Sequence, residues 1–203
     1  MKITKIGIMG LAQSGKSTLA KQMQENISKR LNEVCYVVSF AEYLKQVVLN
    51  RLLGDLIERP AVSKDDVFFN VDIGEIASFI ADVKIKSDIR TKLTYREILQ
   101  LVGSLANQYK PNVFVNKWLE RVDQIIARHK DGDYDSLTIL CDDVRFLLNE
   151  RLLFDKTIYV YNPNQQINLA VYNHASEHDA RKLWDLAAQN KLPKHIELYT
   201  NIH

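Results

Sequence analysis

The chain opens on a β-branched apolar run, ITKIGIM at 3–9, that stops at Gly10, and from Lys16 to Leu31 the apolar residues recur at helical spacing. This pattern predicts strand, glycine loop, helix. VCYVVS at 34–39 reads as a second buried strand, after which Ala41, Leu44, Val47, Val48 and Leu52 fall on one helix face. Residues 54–92 hold no period for long and predict an insertion with short helices. From Thr94 the helical spacing returns, with Tyr95, Ile98, Leu99, Val102 and Leu105 on one face and Thr94 and Glu97 spaced as a capping box. A second helix is predicted over about 112–130, where Val115, Trp118, Leu119, Val122, Ile125 and Ile126 form the stripe, and it ends at the polar turn KDGDYDS. Strands LTILC at 137–141, TIYVY at 157–161 and HIELYT at 195–200 follow, interrupted by a short helix around 146–153, a polar stretch at 162–176 and a helix near 177–190.

Strands alternating with helices pair in parallel through right-handed crossovers, which predicts an α/β fold with a five-stranded parallel sheet flanked by helices on both faces. Such sheets take ligands beyond the carboxyl ends of their strands, so the residues just after each strand are where chemistry is expected. At 203 residues, 46% hydrophobic and 26% charged, the chain is sized for one domain, 1–203, and excludes disordered and low-complexity classes. A formal charge of +2 carries no strong nucleic-acid signal and no attraction to an anionic membrane. The two cysteines, Cys35 and Cys141, lie in apolar runs and fit reduced thiols in a cytoplasmic setting. No apolar run approaches the roughly 18–20 residues of a membrane span, and MKITKIGIMG is too short an apolar stretch for a signal peptide.

Composition leaves the function open; the glycine loop narrows it. Residues 10–17, GLAQSGKS, match G-x-x-x-x-G-K-[ST] without a departure, between a predicted strand and a predicted helix. Glycines let backbone N–H groups converge on phosphate oxygens, and the helix start adds partial positive charge. The candidate nucleotide site is therefore Gly10, Gln13, Ser14, Gly15, Lys16, Ser17 and Thr18. Lys16 supplies a mobile charge for the β and γ phosphates, and Ser17 a hydroxyl for Mg²⁺. LTILC runs straight into Asp142 and Asp143, so one of these carboxylates is expected to hold the same cation, with the choice between them open. Arg145 brings a guanidinium to that edge. His174 and His178 lack a third ligand at metal spacing and read as solvated.

Five segments taken together, GLAQSGKST at 10–18, SFAEYLK at 39–45, YREILQLVG at 95–103 with Trp118 beyond it, DDVRFLLNE at 142–150, and HASE at 174–177 followed by the last strand and Asn201, resemble the phage-type deoxynucleoside monophosphate kinases. The resemblance covers most of the chain. It implies a P-loop kinase fold with a helical acceptor-binding insertion about 41–130 and a lid about 162–180. It further implies transfer of the γ-phosphoryl group of ATP, with Mg²⁺, to a deoxynucleoside monophosphate, in the cytoplasm of the host if the chain is phage-encoded. Small-molecule nucleotides are then the partners, and a homodimer stays open.

Under that resemblance Lys45 lies near the acceptor, Arg96 faces the monophosphate, Gln100 meets a base edge and Trp118 offers a flat wall to base or sugar. Arg145 bridges the phosphates, and Glu150 orients Arg145 or a neighbouring base. Lys16, Asp143, Arg145 and Arg181 form the implied catalytic set. Each substrate residue also has a plain alternative: Trp118 sits on an apolar stripe, Lys45, Arg96 and Gln100 on solvated helix faces, and Glu150 one turn from an arginine. The chain departs from the family pattern at Leu105-Ala106-Asn107-Gln108 and at Asn162, where arginines are usual, and residues 162–180 contain no Arg or Lys. Arg181 is the nearest cation. Two other readings therefore stand beside the first: a P-loop kinase of another acceptor, such as a modified nucleotide or a base in DNA, and a nucleotide-binding protein without transferase activity.

Overall fold

The computed structural model describes residues 1–54, 62–86, 92–144, 153–165 and 175–201. Two compact units divide the chain, one formed by Met1–Ser39 with Arg121–His203 and the other by Phe40–Glu120. In the first unit, β1 (Lys2–Met9) leads through the glycine loop into α1 (Lys16–Ser28) and then β2 (Glu33–Val37). In the second lie α2 (Ala41–Leu53), β3 (Val67–Phe68), α3 (Ile73–Ala81), β4 (Leu93–Thr94) and α4 (Tyr95–Tyr109). Helix α5 (Val113–His129) starts in the second unit and ends in the first. The chain then completes the first unit with β5 (Ser136–Cys141), β6 (Lys156–Tyr161), α6 (Ala175–Ala188) and β7 (Ile196–Thr200).

A five-stranded parallel sheet in the order β2-β5-β1-β6-β7, flanked by helices, makes the fold α/β. Its central strands read as near-continuous apolar runs because both faces are covered, and Ile8, Met9, Leu137, Ile139, Leu140, Tyr159 and Val160 are fully buried. Helix α1 presents Leu19 and Ala20 to one face, against Ile6 and Ile8 of β1, Cys35 of β2, Leu140 of β5 and Ile158 and Val160 of β6. Burial pushes the Cys35 thiol up to about 12, and both cysteines are free and buried. Among the described residues no helix is long and apolar enough to cross a membrane.

Strand order reverses its direction at one point: from β1 the chain crosses to β2 past the position of β5, whereas from β5 it crosses β1 in the opposite direction to reach β6. The carboxyl ends of β1 and β5 thus flank a topological switch point, the position at which open parallel sheets generally take ligands. Gly10 and Asp142 follow those two ends.

The second unit has its own core, in which Val48, Ile73, Ala77, Ile98, Val102 and Ala106 are fully buried. Its start signals are local. Asp72 caps α3, accepting from the Glu75 N–H at 2.8 Å. Thr94 caps α4 through a capping box: Thr94 Oγ1 accepts from the Glu97 N–H, and Glu97 Oε2 accepts from both the N–H and the hydroxyl of Thr94.

The backbone bond from Thr94, with the bond from its hydroxyl, holds the Glu97 carboxyl below its ordinary value. A depressed carboxyl stabilises the fold above its unfolded pKa and loses that contribution as pH falls through the folded pKa. Thr94→Ala should therefore destabilise the protein by about 1 kcal/mol at pH 7 through the lost cap hydroxyl. Part of that hydroxyl's worth depends on the carboxylate, so the gap from wild type should narrow in acid. Urea unfolding at pH 7 and at pH 3 measures both, and a penalty that grows on acidification contradicts the assignment.

Candidate functional site

Residues 10–17 turn the chain from a buried strand into a helix by backbone conformations few residues tolerate. Gly10 has φ 149°, Gln13 φ 65° and Gly15 φ 98°. A Cβ on Gly10 would come within 2.7 Å of the Val160 carbonyl oxygen and 2.6 Å of Ser14 Oγ, and one on Gly15 within 2.6 Å of Asn201 Nδ2. These two glycines are thus required by the loop's closeness to the sheet and to the residue after β7. Gly15 takes the N-cap position of α1, so Lys16 is the first helical residue and Ser17 and Thr18 lie in the first turn, both exposed.

Side chains from beyond the strand ends hold the loop. Asn201 Nδ2 donates to the Ser14 carbonyl at 3.0 Å, and Gln165 Nε2 donates to the Ala12 carbonyl. Leu11, fully buried, packs on Ala180 of α6, with Ala12 and Trp184 alongside. Tyr159 donates its hydroxyl to the Ala180 carbonyl at 2.6 Å, and Tyr161 meets the Trp184 ring at 5.5 Å, so β6 fixes α6 beside the loop. Arg181 follows Ala180 on that helix and is exposed.

Lys16 folds back along the loop. Its Nζ donates to the Gly10 carbonyl at 2.8 Å and to the Leu11 carbonyl at 2.6 Å. Ser14 is 1% exposed, and its Oγ has no hydrogen-bond partner among the described residues. A buried hydroxyl without a partner costs about 1–3 kcal/mol, which a phosphate oxygen at the loop would relieve.

Sheet register explains how Asp142 reaches this loop. Val37 of β2 pairs with Leu140 of β5, so two residues on, Ser39 stands level with Asp142. Ser39 Oγ donates to Asp142 Oδ1 at 2.5 Å, and Ser17 Oγ donates to Asp142 Oδ2 at 2.6 Å. One carboxylate therefore ties together the residues following β1, β2 and β5. Asp143 is engaged differently, its Oδ1 accepting from the Cys141 thiol at 3.3 Å.

The donor set suits a hard cation. Among the described residues no group of three or more His, Cys, Asp and Glu gathers to hold a metal. Mg²⁺ does not require one: it binds through one or two protein oxygens and completes its shell with water and substrate phosphate. Ser17 and Asp142 supply that minimal pair. Of the two histidines considered at first, His178 is exposed with Nδ1 3.8 Å from Asp179, and His174 lies outside the described residues.

No protein-family model matches the chain, and no curated protein aligns with it.

The remaining candidates stand on the second unit or beyond description. Lys45 is exposed on α2, Arg96 half-buried and Gln100 exposed on α4. Arg96 and Gln100, four residues apart, share a helix face. Trp118 is 2% exposed and lies against Phe40 with ring centroids 5.3 Å apart, the core packing that its apolar stripe also offered. Arg145 and Glu150 lie outside the described residues, as does 166–174 within the expected lid. Three side chains of the site were not singled out by role from the sequence: Ser39, Gln165 and Asn201. Each follows a parallel strand, and that position was the available signal.

Proposed function

We propose that the protein is an ATP- and Mg²⁺-dependent kinase of deoxynucleoside monophosphates, built on a P-loop kinase fold and working in a cytoplasmic setting. The observation that carries the reading is the Ser17–Asp142 hydrogen bond beyond the carboxyl ends of β1 and β5, directly after a loop whose glycines have no room for side chains. The buried Ser14 hydroxyl supports a phosphate in that loop, and the two buried free thiols support a reducing compartment. The acceptor side rests on the sequence resemblance over 39–45, 95–103 and 142–150.

In this reading Lys16 leaves the Gly10 and Leu11 carbonyls and turns its three N–H donors to the β and γ phosphates. Backbone N–H groups of the loop and the start of α1 hold the phosphate tail in place. Ser17 and Asp142 would hold the cation, and Mg²⁺ bound there would supply positive charge against the phosphates. An acceptor phosphate oxygen forms a bond to the γ phosphorus while the bridge to the β phosphate breaks, and ADP departs. The protein supplies alignment and positive charge rather than covalent chemistry. Exposed Arg181, on the helix packed against Leu11, is the described guanidinium assigned to that charge.

One observation favours a second reading, nucleotide binding without transfer: residues 162–180 carry no Arg or Lys to close over the donor. A coupled assay of ADP formation with each of the four deoxynucleoside monophosphates separates the two. ADP release dependent on one of them is the expected result. Folded protein that binds ATP and releases no ADP with any of the four overturns the kinase reading in favour of the second, and activity only on a nucleic-acid strand assigns another acceptor.

A further inference from the structure

We propose that Ser39 is a positioning residue for the cation site, setting the Asp142 carboxylate so that one oxygen is reserved for the metal and its water. The inference rests on the nucleotide reading above and goes beyond it by naming a side chain outside the glycine loop and outside the acidic pair.

Asp142 has two oxygens and they are held differently. Oδ2 accepts from Ser17, whose oxygen is itself the proposed cation ligand, and Oδ1 accepts from Ser39 at 2.5 Å. Ser17 sits in the first turn of α1 and is exposed, whereas Ser39 lies two residues beyond β2 and is half-buried. Backbone register backs the second bond: the Val38 N–H donates to the Leu140 carbonyl at 2.8 Å, so the ladder to β5 continues one residue past the end of β2, up to the residue before Ser39. With Oδ1 tied to the sheet, rotation of the carboxylate is restricted and Oδ2 stays turned toward Ser17. An ionised carboxylate held by a hydroxyl on one oxygen presents the other as a fixed acceptor, which is how groups behind a metal ligand tune affinity.

The test is calorimetric titration with ADP, in EDTA and across a Mg²⁺ series, on wild type, Ser39→Ala, and the shape-matched pair Ser39→Thr and Ser39→Val. Wild type is expected to bind ADP more tightly as Mg²⁺ rises. Loss of the hydroxyl in Ser39→Ala and Ser39→Val should raise the Mg²⁺ midpoint by about tenfold. Affinity for ADP in EDTA should stay unchanged, and Ser39→Thr should restore the wild-type midpoint. A merely structural role would move melting temperature without moving that midpoint, and the Thr/Val pair compares variants of one shape should Ser39→Ala fail to fold. A common midpoint for Thr and Val, or ADP binding by wild type indifferent to Mg²⁺, overturns the role of Ser39. Absence of ADP binding by folded wild type overturns the nucleotide reading itself, and this inference with it.

Discussion

Lys16→Ala is expected to lower ATP-dependent phosphoryl transfer by about 10²-fold or more, the scale of removing one donor aimed at charge that grows in the transition state. Lys16 is the first residue of α1, and its ammonium already lies over the loop, 2.8 Å from the Gly10 carbonyl and 2.6 Å from that of Leu11. A phosphate seated on the loop meets this charge without any backbone movement. The ammonium can follow the migrating group while the backbone N–H groups stay fixed, so turnover should fall more than ATP affinity. Lys16→Arg should not rescue it, because a planar fork cannot replace a compact, swivelling point charge in a loop this tight. Steady-state rates beside calorimetric ATP affinities measure the split, with thermal melting as the check on folding. Turnover near wild type in either variant contradicts the role given to Lys16.

What the sequence made legible follows from how local each signal is. Strand β1, the loop and α1 come from an apolar run stopped by glycine, a contrast contained within about two dozen residues, and the Thr94 capping box from a four-residue motif. Central strands β5 and β6 stand within a residue of their predicted bounds because burial on both faces leaves uninterrupted apolar runs. Helix α3, one of the short helices expected over 54–92, could not be bounded from the pattern: it is nine residues long, and its exposed side includes Phe79, so apolar residues do not stop at the buried face of Ile73, Ile76, Ala77, Ile80 and Ala81. Asp72, with Glu75 three residues on, was the usable signal there. The antiparallel pairing of β3 with β4, Val67 with Thr94 and Phe68 with Leu93, joins two-residue strands across a long interval, and no local pattern encodes it.

The site divides the same way. Gly10 to Ser17 form one contiguous motif, whereas the bonds of Asp142 to Ser17 and Ser39 span 125 and 103 residues. Sequence supplied the acidic pair and left the choice within it open. Register separates the two in the structure: Asp142 is level with Ser39 on the neighbouring strand and accepts from Ser39 and Ser17, whereas Asp143, one residue on, accepts from the Cys141 thiol. Ser39, Gln165 and Asn201 are ordinary polar residues by type. Only the packing of strand ends around one loop distinguishes them.

Gly10→Ala is expected to be the most damaging single substitution of a small residue in the sheet unit, destabilising by about 3 kcal/mol through backbone strain and overpacking together. Strand β1 runs parallel to β6 with Met9 beside Tyr159, so the next step brings Gly10 beside Val160. At φ 149° the added Cβ would point at the Val160 carbonyl, 2.7 Å away, and at Ser14 Oγ, 2.6 Å away. Ser14 is a short side chain with a torsion to spare, but the Val160 carbonyl belongs to a fully buried residue of β6 and cannot retreat without parting β6 from β1. Gly103 provides the contrast within a helix: its added Cβ would meet only the end of the Leu44 side chain, at 3.1 Å, which a small rotamer shift relieves. Gly103→Ala gains the helix propensity of alanine, about 1 kcal/mol, against that adjustment and should leave stability close to wild type. Urea midpoints of the two variants, read with a common slope, give the comparison. If Gly10→Ala unfolds at the wild-type midpoint, the loop does not lie against β6 as described, and the reason given for glycine at the head of the motif is wrong.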